Sequence, residues 1–152
     1  MHDKEEDIFF MRMAIEEAGI AFAEGEVPVG AVLTRNGDVV ARAHNCRESS
    51  HDPTGHAEIM ALRSGTNESS GWRLSDATLY VTKEPCIMCA GAMVNARLGR
   101  LVYGCKDAKG GAVDSLYNLL SDRRLNHQVE VISGVLEEEC AEILQRFFRS
   151  RR

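Results

Sequence analysis

The chain has 152 residues, with 23 acidic against 18 basic side chains and a net charge of −5 at pH 7. At 44% hydrophobic and 27% charged it has the composition of a globular protein, and its length fits one domain spanning 1–152. The longest run free of charge and histidine, Pro85 to Ala96, has 12 residues against the about 20 a bilayer span needs; the acidic start MHDKEED lacks the positive region of a secretory leader, so a cytoplasmic protein is expected.

In chain order, Ile8, Met11, Ile15, Ala18 and Phe22 recur at helical spacing and predict an amphipathic helix over about 5–24. Val29 to Leu33 and Val39 to Ala43 are short apolar runs separated by Asn36-Gly37, a strong hairpin signal. Asp52-Pro53 fits a helix start, with His56 to Leu62 as the helix and Ser64 to Gly71 as a loop. Ala77 to Thr82 reads as a strand, Cys86 to Asn95 as a helix opened by Pro85, and Arg100 to Tyr103 as another strand. A short helix is expected near Ser115–Leu120, a last strand at Val129 to Ile132, and a final helix carrying Leu136, Cys140, Ile143 or Leu144, and Phe147. Strands alternating with helices after a hairpin imply a three-layer α/β/α sandwich, with a mixed sheet of about five strands. The helix over 86–96 is apolar nearly all round, which places it centrally or at a subunit contact.

The net charge argues against a general nucleic-acid binder, yet four of the last seven residues are arginines: Arg146, Arg149, Arg151 and Arg152. Solvated cations suited to a helix C-terminus explain them equally well. Five cysteines, an odd number with no leader, favour metal binding or redox chemistry over a disulfide framework.

Cys86-x-x-Cys89 falls at a strand-to-helix junction, where the positive end of a helix favours thiolates. Two thiols three apart on a first turn can reach one tetrahedral zinc, although thioredoxin-like redox motifs use the same placement. His56, at the start of the preceding helix, makes a third ligand and leaves the fourth position to water, as catalytic zinc requires. Zinc lowers the pKa of such a water to about 7. Glu58, two residues on, turns by about 200° around a helix and so flanks the water rather than the ion, which suits a proton shuttle. Taken alone, Glu58 is also an ordinary first-turn acid and His56 an ordinary satisfied histidine. A non-enzymatic alternative closes the site with Cys46 as a Cys₃His structural zinc.

His-x-Glu followed by Pro-Cys-x-x-Cys is the signature of zinc nucleobase deaminases. EVPVGAVL (26–33), HDPTGHAEIMALR (51–63), DATLYVT (76–82), EPCIMCAGAM (84–93), KDAKGGA (106–112) and FFRSRR (147–152) resemble the bacterial tRNA-specific adenosine deaminases, which have the cytidine deaminase-like fold. The likeness runs from about Met11 to the end. It implies hydrolytic deamination of the wobble adenosine of a tRNA anticodon loop to inosine, with one Zn²⁺ on His56, Cys86 and Cys89. In that scheme activated water attacks C6 of adenine while Glu58 protonates N1 and then the leaving amine. The resemblance further implies that Asn45 reads the flipped base, that Val29 and Ala57 line its pocket, and that Asp107 lies near the substrate backbone. Phe148, Arg149 and Arg152 would lie beside flanking nucleotides, and the chain would form a homodimer. Gly55, Lys83 and Cys105 depart from the family's usual pattern. A deaminase of a free base or nucleoside (guanine, cytosine or adenosine) shares the metal motif and is the alternative enzyme.

Overall fold

The computed structural model describes residues 3–67 and 71–151. A helix α1 (Lys4–Ala23) leads into the hairpin β1 (Gly30–Arg35) and β2 (Asp38–His44). There follow α2 (Ala57–Asn67), β3 (Ala77–Lys83), α3 (Ile87–Asn95), β4 (Arg100–Cys105), β5 (Glu130–Ile132) and α4 (Glu137–Arg149). The strands form one sheet in the order β2-β1-β3-β4-β5. β1 pairs antiparallel with β2 and β3, whereas β3–β4 and β4–β5 are parallel, so the sheet is mixed as expected.

Local sequence explains the frame. Asp3 caps α1 by accepting from the Glu6 amide at 2.7 Å, and three acids in the first turn suit its positive end. The hairpin turns on Asn36 and Gly37, both at positive φ (53° and 80°), the type I′ geometry that the Asn-Gly pair favours.

Alternate strand residues face opposite layers. Leu33, Leu79, Val81, Leu101 and Tyr103 pack with α2 and α3, through Ala57, Ala61, Cys89, Ala90 and Met93. Val32, Tyr80 and Val102 pack with Phe10, Met11 and Ala14 of α1 and Cys140 of α4. The result is the three-layer α/β/α arrangement. At Gly30 the layers nearly touch: a Cβ there would lie 1.9 Å from the Ala14 carbonyl oxygen.

Three expectations are corrected. The stretch from Ser64 is not a loop at once; α2 continues to Asn67, with the Thr66 hydroxyl donating to the Leu62 and Arg63 carbonyls and Gly65 tucked against Leu33. The helix expected near Ser115–Leu120 is only a 3-10 turn at Leu119–Ser121. The amides of Val113, Asp114 and Ser115 are bonded to the Glu84 carboxylate instead of to helical carbonyls. On α1 the expected stripe is buried at Met11 and Ala18 but not at Ile8, which is exposed, and the buried face also carries Asp7 and Glu17. Asp7 takes a two-pronged ion pair from Arg100 and a hydrogen bond from the Tyr80 hydroxyl. Glu17 meets Arg42 and His44.

Candidate active site

The site forms where the starts of α2 and α3 meet. Asn45, just past β2, caps the start of α2 from outside the helix, its Oδ1 accepting from the Ala57 amide at 2.9 Å. This contact seats His56 at the helix mouth. Pro85 precedes Cys86, which takes the N-cap position of α3 in extended conformation, and Cys89 follows on the first turn. His56 Nδ1 lies 3.6 Å from Cys86 Sγ and 3.4 Å from Cys89 Sγ. Among the described residues these three form the only cluster of metal-ligating side chains, with ligand atoms within 4.8 Å of one another; Cys46 is not part of it. The closed Cys₃His alternative is therefore overturned.

Electrostatics test whether a cation belongs there. The Cys86 thiol is held down to about 3 by hydrogen bonds from Cys89 and His56, despite burial. His56 is raised by its bond to Cys86. The Cys89 thiol is driven far up, because it donates to Cys86, is buried and adjoins Glu58. Glu58 is 4% exposed and is raised by burial, more than its own amide and His56 can offset. Two thiolates and a carboxylate so close and so dry cannot all ionise without a positive charge among them. A divalent ion would supply that charge, and two sulfurs with one imidazole are the donors zinc prefers, so the residues fit the group.

Buried carboxylates tie down the rim on both sides. Glu26 accepts from the Glu48 and Ser49 amides at 3.1 and 2.8 Å. Glu84 is 2% exposed and accepts from the amides of Asp107, Val113, Asp114 and Ser115, and from the Ser115 hydroxyl at 2.5 Å. Burial alone would raise the Glu84 carboxyl; these donors hold it at about 2.

Of the substrate residues expected by resemblance, Asn45 and Ala57 stand together at the mouth of α2. Val29 is buried in the core, and its carbonyl accepts from the Asn45 amide. Asp107 is engaged on both oxygens: Oδ1 takes the Lys109 and Gly110 amides, and Oδ2 lies 3.1 Å from the Lys83 ammonium. Lys83 thus pairs with a residue that the resemblance places near the substrate. Phe148 is 49% exposed, whereas Phe147 is buried against Phe22. Arg149 is exposed on α4, and Arg152 lies outside the described residues. A groove of about 450 Å³ is lined by Asn45, Arg47, Phe148 and Arg151, among others. The sequence reading missed the structural roles of Glu26 and Glu84 and the place of Arg47.

A profile of the MafB19-like deaminases matches residues 5–152. The chain is 51% identical to a tRNA-specific adenosine deaminase of Bacillus subtilis, covering 97% of this chain and 91% of the relative. The chain belongs to the MafB19-like deaminase family. A tRNA-specific adenosine deaminase of Haemophilus influenzae is 48% identical to this deaminase, over 93% of this chain and 83% of that protein. A solved structure from studies of A-to-I editing by tRNA:A34 deaminases at the wobble position superposes with a TM-score of 0.86 at 46% identity, covering 89% of this chain and 98% of that one. A guanine deaminase of Bacillus subtilis superposes less fully, with a TM-score of 0.62 at 34% identity over 64% of this chain and 63% of that one. Among the described residues no helix of this deaminase is long and apolar enough to cross a membrane.

Proposed function

We propose that the chain is a single zinc-dependent deaminase domain that converts the wobble adenosine of a tRNA anticodon loop to inosine, releasing ammonia. The observation that carries the chemistry is the meeting of His56, Cys86 and Cys89 beside the buried carboxyl of Glu58. The names of relatives at 48–51% identity support the substrate.

His56, Cys86 and Cys89 would hold the zinc, which when bound would supply a water acidic enough to lose a proton near neutral pH. Glu58 accepts that proton, and burial, by raising its affinity for protons, suits it to pass them on. It would deliver that proton to N1 of adenine as the water oxygen adds to C6, then take the remaining proton from the new C6 hydroxyl and pass it to the exocyclic nitrogen, which leaves as ammonia while the C6 carbonyl forms. Asn45, its Oδ1 held by Ala57, presents its amide NH₂ to the base, while Val29 and Ala57 form the apolar wall. Phe148 and the arginines Arg149 and Arg152, with Arg47 and Arg151 in the adjoining groove, suit flanking bases and phosphates. Asp107 sets the loop at the opposite rim. A splayed single-stranded base reaches such a site at little cost. The enzyme works in the cytoplasm as a homodimer joined through α3, where Ile87 is 59% exposed.

A second reading, deamination of free guanine, is favoured by the partial likeness to the Bacillus subtilis guanine deaminase. The test offers the purified protein an anticodon stem-loop with adenosine at the wobble position, free adenosine and free guanine. The expected result is inosine in the stem-loop alone. Turnover of a free base without the stem-loop would overturn the tRNA reading.

A further inference from the structure

Glu84 is spent on a single task. Its side chain is buried, and both oxygens are committed to one segment of chain, 107–115, through four amides and one hydroxyl. A carboxylate is worth burying only where its lone pairs are so fully used. Its own backbone runs straight into Pro85 and Cys86. The Pro85 carbonyl accepts from the Ala112 amide at 2.9 Å, and the Glu84 amide donates to the Cys105 carbonyl at 2.8 Å. Gly111 has no side chain where the carboxylate sits: a Cβ there would lie 2.3–2.4 Å from its atoms. The only ion pair between Lys83 and this segment among the described residues, with Asp107, is partly exposed and therefore weaker.

We propose that Glu84 is a positioning residue that locks the 107–115 loop onto the peptide entering the ligand helix, so that the substrate-facing rim and the metal ligands keep one register. The proposal rests on the functional reading above, in which the loop set by Asp107 forms one rim of the substrate site. Glu84 touches neither ligands nor substrate. It acts through the loop, so its loss loosens substrate capture while leaving the metal and the proton shuttle in place.

Glu84→Gln keeps the shape but turns one acceptor into a donor facing amides. Gly111→Ala presses on the same contact from the loop side. Ser115→Ala removes one donor and keeps the carboxylate, so it serves if the first two fail to fold. For each, three quantities are measured: zinc per chain, KM and kcat on the stem-loop, and amide exchange at 107–115. Glu84→Gln and Gly111→Ala are expected to hold zinc as the parent does, to raise KM about tenfold or more with kcat within about threefold, and to speed exchange at 107 and 113–115. Ser115→Ala shifts both in the same direction, by less. Loss of zinc in step with activity would make Glu84 a support of the ligand helix and overturn the proposal. So would unchanged KM and exchange in all variants that fold. If the parent itself leaves the stem-loop untouched, the substrate reading fails. Exchange and zinc content then decide the locking role alone: faster exchange with full zinc upholds it, and any other pattern rejects it.

Discussion

Glu58 and Glu26 are both buried carboxyls, yet their surroundings push them in opposite directions. Glu58 lacks enough donors, so burial raises it toward the protonated form a shuttle needs. Glu58→Gln should keep zinc and the fold but lower turnover by about 10²–10⁴; metal analysis beside a rate measurement checks this, and a near-normal rate would remove the shuttle role. At Glu26 burial also raises the pKa, but the amides of Glu48 and Ser49 win and hold it below its ordinary 4.5. Its ionised form therefore favours the folded state above pH 4.5, and that contribution fades as pH falls below it. Glu26→Gln should be less stable than the parent at pH 7, with the gap narrowing in denaturant titrations as pH drops from 5 toward 3. A gap that widens on acidification would contradict this assignment. The gathering of His56, Cys86 and Cys89 was legible from spacing, because a shared metal demands particular atoms at particular intervals. Glu26 and Glu84 were not, because what they bind is backbone, which has no letter in the sequence.

The elements were legible where local chemistry and packing agree. Asn36-Gly37 could hardly be read as anything but a turn, and the apolar runs on either side pair as expected. Ser, Gly and Thr are poor helix formers and suggest an early end to α2; packing of Gly65 on Leu33 overrides that preference. The stripe on α1 holds at Met11 and Ala18 but not at Ile8, because the inner face also carries Asp7 and Glu17, whose partners Arg100, Tyr80, Arg42 and His44 lie far along the chain. Gly30 is the sharper test of how the layers meet. Gly30→Ala, a change that ordinarily suits a folded chain, should here lower stability by about 3 kcal/mol, since the Cβ would meet α1 backbone. Thermal or urea unfolding checks it, and a neutral effect would mean that α1 is not seated as described.

For the molecule as a whole, an acidic protein that handles an anionic polymer must concentrate its cations. Arg47 and Arg151 share the groove with Phe148, and Arg151 reaches back to the Gly25 carbonyl while its guanidinium covers the Phe147 ring at 4.4 Å. Replacing Arg149 and Arg151 with alanine should weaken stem-loop binding and make log Kd less steep against log salt, by roughly 0.7 for each single-strand phosphate that is no longer neutralised. An unchanged slope would place the RNA elsewhere.

The proposed chemistry centres on a zinc ion held by His56, Cys86 and Cys89, and zinc-edge X-ray absorption of the purified protein tests it directly. Two sulfur and two lighter scatterers around one zinc per chain are expected: Cys86, Cys89, His56 and a water. Three or more sulfurs, or a fully active protein without zinc, would contradict it.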